Sequence, residues 1–206
     1  MNPHETIAAI TKTGIVGIVR AESAQQAIEL TRQLWDAGIA VVEVALTTPD
    51  GLEAIKKLSQ DVPDGYILGA GTILDAATAR LAILAGASLL VTPVVVEEVI
   101  EVAQRYGAVT VIGAATPTEM LQAHSRGADF VKVFPASRWT PQSLSDTLQA
   151  LPQLRIIPTG GVTPETAAEW VGGGAVAVGL GSSLTKGDDP SGRVASLLQA
   201  LGSARA

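Results

Sequence analysis

Eight short runs of β-branched and other apolar residues recur along the chain, at 15–19, 40–44, 66–70, 88–92, 109–113, 130–134, 155–159 and 175–179. Most are nearly continuous rather than alternating, the pattern of strands covered on both faces of a parallel sheet. With Val19, Val44, Ala70, Val91, Ile112, Val133, Ile157 and Val178 as markers, successive spacings are 25, 26, 21, 21, 21, 24 and 21. Each interval holds a strand, a helix and two short loops. Thr48-Pro49, Thr116-Pro117, Thr140-Pro141 and Thr163-Pro164 each predict an N-cap followed by Pro at the first helical position. Thr116 with Glu119 adds a capping-box signature. Gly38, Gly86, Gly107, Gly127 and Gly172 stand where a left-handed residue would end a helix. Residues 2–12 read as a short leading helix. No Pro/Ser-rich linker or charge block interrupts the pattern, so a single domain over 1–206 is predicted. Its fold class is α/β, a (β/α)8 TIM barrel with a short N-terminal leading helix. A doubly wound open sheet also alternates strand and helix, but eight evenly spaced units favour closure.

Composition agrees with a large buried core. Of the 206 residues 47% are apolar and only 17% charged, against about 25% in an average soluble domain. Fourteen basic and 20 acidic side chains leave a net charge of −6, which argues against nucleic acid as a partner. The absence of Cys excludes disulfides, thiolate nucleophiles and Cys-ligated metals. The longest uncharged runs, 81–96 and 170–185, have 16 residues each, short of the ~20 needed to span a membrane. The N-terminus lacks the basic and apolar regions of a secretion signal. A cytoplasmic protein with no membrane partner is expected.

The active site of such a barrel lies at the carboxyl ends of its strands, and two ionisable residues sit inside apolar runs. Glu43 lies in Ala40-Val41-Val42-Glu43-Val44-Ala45, and Lys132 in Phe130-Val131-Lys132-Val133-Phe134. Burying either charge unpaired is expensive. One acid and one base on different strands read either as a structural salt bridge or as chemistry. Burial disfavours an ammonium, and a neutral amine attacks carbonyls to form a Schiff base. A neighbouring carboxylate then shuttles the protons for C–C cleavage. Lys132 as nucleophile and Glu43 as acid/base describe a class I aldolase.

Thr159-Gly160-Gly161 closes the seventh run, and Gly179-Leu180-Gly181-Ser182-Ser183 follows the eighth. These are the loops where barrels commonly hold phosphate, although glycines there also serve tight turns. Arg20, after the first strand, suits either a bidentate fork to a carboxylate or a rim salt bridge. Thr72 ends Gly69-Ala70-Gly71-Thr72 and suits either a hydrogen bond to substrate or a turn cap. No metal site is expected: His4 falls in the leading helix, His124 on an outer helix, and Asp188-Asp189 in a turn. Trp35 and Trp170 read as core residues.

Seven motifs occur in order: Gly-Ile-Val-Arg (17–20), Val-Glu-Val (42–44), Gly-Ala-Gly-Thr (69–72), Val-Thr-Pro (91–93), Lys-Val-Phe-Pro (132–135), Pro-Thr-Gly-Gly-Val (158–162) and Val-Gly-Leu-Gly-Ser (178–182). Together they resemble the 2-keto-3-deoxy-6-phosphogluconate (KDPG) / 4-hydroxy-2-oxoglutarate (KHG) aldolase family, from about residue 12 to about residue 203. The resemblance implies a class I aldolase on a (β/α)8 barrel, a homotrimer without a cofactor, acting on a phosphorylated 2-keto acid. Lys132 becomes the Schiff-base lysine and Glu43 the acid/base working through a water. Thr72 with Arg20 would hold the pyruvate carboxylate, Pro93 the methyl side, and Thr159 the aldehyde half. Gly160, Gly161, Gly181 and Ser182 would take the phosphate.

Some family members carry Arg four residues beyond the catalytic Glu, where this chain has Thr47. Another branch pairs Thr there with Arg at the first strand end, as Thr47 and Arg20 stand here. The expected reaction is cleavage of KDPG to pyruvate and glyceraldehyde 3-phosphate, with KHG as a second substrate. The alternatives are the galacto epimer, 2-keto-3-deoxy-6-phosphogalactonate, and a catalytically silent oligomeric barrel scaffold. Another phosphate-binding barrel that uses the pair electrostatically, a decarboxylase or epimerase, is a further rival.

Overall fold

The computed structural model describes residues 2–185 and 190–204, so the predicted turn at Asp188-Asp189 lies outside the described residues. Helix α1 (Pro3–Thr13) starts with a capping box between Asn2 and Glu5 and stops at Gly14, where φ is +72°. The strands follow as β1 (Ile15–Val19), β2 (Val41–Ala45), β3 (Ile67–Gly71), β4 (Leu89–Val91), β5 (Val109–Ala114), β6 (Phe130–Val133), β7 (Ile156–Pro158) and β8 (Val178–Leu180). Each falls in a predicted run to within a residue or two, except β8, which starts three residues late. Between them lie α2 (Ala24–Asp36), α3 (Gly51–Leu58), α4 (Ala76–Leu84), α5 (Glu97–Tyr106), α6 (Pro117–Ser125), α7 (Pro141–Ala150) and α8 (Ala167–Gly172). Helices α9 (Ser182–Thr185) and α10 (Pro190–Ala204) complete the described chain.

All strand pairs are parallel, in the order β7-β6-β5-β4-β3-β2-β1-β8. The sheet curls until its edges meet. There the Thr159–Gly179 bridge and the Val176 N–H donating to the Ile156 carbonyl at 3.0 Å close the (β/α)8 barrel. Closure leaves the two edge strands with few exposed backbone groups.

Strand alternation divides the side chains between two cores. Val16, Val41, Ile67, Leu89, Val109, Phe130, Ile157 and Ala177 point inward and fill the lower barrel, where Ile10 of α1 plugs the floor. Neighbouring residues such as Val42, Leu68, Leu90, Ile112, Val131 and Val178 point outward into the helical layer. Trp35 and Trp170 join that outer core, as expected for packing residues. Each large side chain so enclosed contributes roughly 1.5–3 kcal/mol relative to exposure.

The helix punctuation holds at Thr116 and Thr140, both N-caps of capping boxes with Pro in the first turn. It fails at Thr48, which is buried and accepts the Ala21 N–H at 3.1 Å, so α3 starts only after Asp50. It fails again at Thr163, which forms a turn with Thr166 before α8 begins at Ala167. Gly38, Gly86, Gly107 and Gly127 take the predicted left-handed conformation, but Gly172 stays helical and Gly174 takes it, at φ +101°. In each failure a tertiary or turn hydrogen bond outcompetes the local capping pattern.

Candidate active site

Inward alternation continues up each strand from the apolar floor to the mouth. On β2 the inward series runs Val41, Glu43, Ala45, and on β6 it runs Phe130, Lys132, Phe134, so period two alone brings the acid and the base to one interior. Lys132 Nζ lies 4.0 Å from Glu43 Oε1, with side chains only 9% and 2% exposed. That separation is too long for a hydrogen bond but close enough for strong charge coupling in a low-dielectric interior. Burial pushes the Glu43 carboxyl above the ordinary carboxylate range, and the nearby charges of Lys132 and Arg20 work against that rise. Glu43 Oε2 is buried with no hydrogen-bond partner. Lys132 Nζ also sits 5.1 Å from the centre of the Phe134 ring.

A cavity of about 710 Å³ opens above the pair, within the range of small-molecule sites. Arg20, Glu43, Thr72, Pro93, Lys132, Thr159, Gly160, Gly161, Gly181 and Ser182 all line it. Thr47 stands one step back and accepts the Arg20 Nε–H at 3.1 Å. That bond orients the guanidinium at the cavity mouth. The gathering of these residues follows from closure of the barrel, since they come from seven strand ends.

Local structure holds several of them. Thr72 has φ +61°, a conformation that costs a β-branched residue roughly 1–2 kcal/mol and persists only where surroundings impose it. Thr92 accepts the Gly113 N–H at 3.0 Å and donates to the Val94 carbonyl at 2.7 Å, fixing Pro93 between them. Thr159 is buried, and its hydroxyl makes only a long bond, 3.4 Å, to the Ile157 carbonyl. Gly160 and Gly161 turn through φ +81° and +96°. The preceding loop secures that turn, with the Ala136 and Ser137 N–H groups donating to the Thr159 and Gly160 carbonyls, each at 2.8 Å.

Ile18 and Phe134 also line the cavity but were not singled out from sequence. Strand parity held the signal: Phe134 lies two residues beyond Lys132, on the same face. His4 and His124 lie on α1 and α6 respectively. No group of three or more His, Asp or Glu among the described residues is arranged to hold a metal ion.

A closed parallel barrel with a buried amine and carboxyl under an open mouth defines a barrel enzyme acting on a small molecule. Residues 6–194 match the model of the KDPG and KHG aldolase family. The chain belongs to this family and is an aldolase, hence a lyase. It is 34% identical to 2-dehydro-3-deoxy-6-phosphogalactonate aldolase of Escherichia coli, over 84% of this chain and 85% of that protein. It is 32% identical to 2-dehydro-3-deoxy-phosphogluconate aldolase of Treponema pallidum, over 79% and 78% of the two chains. Among solved structures, the native KDPGal structure superposes with a TM-score of 0.82 at 32% identity, covering 93% of each chain. No helix among the described residues is long and apolar enough to cross a membrane.

Proposed function

We propose that the chain is a class I aldolase that cleaves KDPG to pyruvate and glyceraldehyde 3-phosphate. The observation that carries this reading is the buried Lys132–Glu43 pair, 4.0 Å apart at the base of the cavity. The unprotonated Lys132 amine attacks the C2 carbonyl, and the resulting carbinolamine loses water to give an iminium ion. Glu43, through a water, takes the C4 hydroxyl proton. The C3–C4 bond then breaks, its electron pair forming the enamine while C4 leaves as the aldehyde. Glu43 returns the proton to C3, and water hydrolyses the iminium to pyruvate and free amine. The raised protonation range of Glu43 suits a group that must both hold and release a proton.

Arg20, oriented by Thr47, and Thr72 would hold the carboxylate, and Pro93 would bound the methyl side. Thr159 faces the aldehyde half. The Gly160-Gly161 turn and the Gly181-Ser182 strand end offer backbone N–H groups to the phosphate. The unphosphorylated KHG shares the pyruvyl half and is a second substrate on this reading. Incubation with pyruvate and sodium borohydride, followed by peptide mapping, should place a reduced pyruvyl adduct on Lys132. An unmodified chain, or an adduct on Lys12, Lys56 or Lys57, would remove the Schiff-base assignment.

The galacto epimer is a second reading, supported by the Arg20–Thr47 bond and by the relative named for that substrate. The ratio of kcat/KM on the two epimers decides between them. We further propose a cytoplasmic homotrimer. Leu74, Leu81, Leu84 and Val94 are more than half exposed, at 56%, 52%, 65% and 55%, an apolar surface of the kind that marks protein contacts. Light scattering coupled to size exclusion tests it.

A further inference from the structure

Proton transfer by Glu43 needs its carboxyl held in one place, yet hydrogen bonds do not hold it. Oε2 has no partner, and Oε1 is 4.0 Å from Lys132 Nζ. What locates the carboxyl is packing against Gly71, which ends β3 in register with Ala45 of β2. A Cβ placed on Gly71 would overlap Oε2 and lie 2.7 Å from Cδ and 3.1 Å from Oε1 of Glu43. Its three nearest neighbours would all be atoms of that one carboxyl group. The backbone gives no other reason for glycine here. Gly71 is absent from the left-handed glycines, which include Gly160 and Gly161, so an L-residue can adopt its conformation without that strain.

We propose that Gly71 is a positioning residue for Glu43: its missing side chain is the slot that keeps the carboxyl facing Lys132. The proposal rests on Glu43 as the proton carrier, and Gly71 itself contacts no reacting atom. A methyl group in the slot would push the carboxyl off its line. Displacements near 1 Å cost about 10²-fold in rate.

The test is a set of double-mutant cycles in the full chain, combining Gly71→Ala with Glu43→Asp and with Glu43→Ala. Two quantities are read: the melting temperature, and the rate at which pyruvate methyl protons exchange in deuterated water. Gly71→Ala should slow exchange about 10²-fold and lower the melting temperature by about 5 °C through overpacking. Aspartate is one methylene shorter and clears the added methyl, so Gly71→Ala should slow exchange little further in the Glu43→Asp background. In the Glu43→Ala background the slot is empty, and the same change should leave the melting temperature level or raise it. Independent, multiplicative losses of exchange, or an undiminished thermal penalty without the Glu43 carboxyl, would overturn the proposal. Should Gly71→Ala alone not fold, a folded Gly71→Ala/Glu43→Ala variant supports it and an unfolded one overturns it. A wild-type chain that exchanges no pyruvate protons defeats the aldolase mechanism instead, and the thermal cycle still decides the role of Gly71.

Discussion

The two ends of the barrel are built from the same strands and do opposite things. At the floor, Val16, Val41, Ile67, Leu89, Val109 and Phe130 pack with Ile10 of α1 into an apolar core. At the mouth, one inward step higher on β2 and β6, the side chains are Glu43 and Lys132, both buried, and Glu43 keeps an unpartnered oxygen. Thr72 there occupies a strained conformation, and Gly71 leaves a slot in place of a side chain. The floor follows the rules of stable packing, and the mouth breaks several of them within a few ångströms. Stability and chemistry are thus assigned to different layers of one sheet. Each should be removable without the other.

The sharpest way to break the contrast is Lys132→Ala. It should lower aldol cleavage at least about 10⁴-fold, the scale of losing a covalent nucleophile, while the chain still folds, with a lower melting temperature at pH values where Glu43 is left charged and unpaired. Loss of folding along with activity would mean that the mouth also supports the barrel. The converse change, Phe130→Ala, should cost about 3–5 kcal/mol in denaturant unfolding and leave kcat within a few-fold of wild type where the chain is still folded. A kcat falling as steeply as the stability would show the floor to be coupled to the site.

Glu43→Gln sharpens the comparison through pH. It should lower kcat by roughly 10²–10⁴, the range of a general acid–base group. Burial raises the folded-state protonation range of Glu43 above its ordinary value of 4.5, so over that interval the native state binds more protons than the unfolded one. Stability from this group is therefore fullest at and below pH 4.5, declines as pH rises, and levels off once Glu43 ionises in the folded protein. The melting temperature of Glu43→Gln relative to wild type should climb over the same interval. A difference that stays flat with pH would contradict the raised range. The smallest effect is expected of Thr72→Gly. Relief of its positive φ should offset the added chain entropy and stabilise by about 1 kcal/mol at most, while KM for substrate rises. A lower melting temperature would show that the Thr72 side chain supports the structure as well as the site.

Much of the mouth was legible from local pattern. Glu43 and Lys132 stood out as the ionisable residues within the apolar runs 40–45 and 130–134, but because both faces of those runs are apolar, only the closed barrel decided that the two point inward. Parity with Lys132 marks Phe134, which went unnamed since an aromatic in an apolar run carries no charge to draw notice. Thr48 misled because its hydroxyl accepts from the Ala21 N–H, a contact that spans 27 residues of sequence, and Thr163 because its backbone N–H and carbonyl are both taken up by the Thr166 hydroxyl.

The chain pattern by itself determined the eight strand–helix units and the parallel sheet. These rest on short-range periodicity, capping and turn chemistry, which act over a few residues. Only the tertiary structure decided how far the inward groups stand from one another. The 4.0 Å approach of Lys132 to Glu43, the bond from Arg20 to Thr47, the seating of Glu43 against Gly71 and the closing bridge from Thr159 to Gly179 all join segments separate in sequence. Their geometry is set by the curl and closure of the whole sheet, which no single segment encodes.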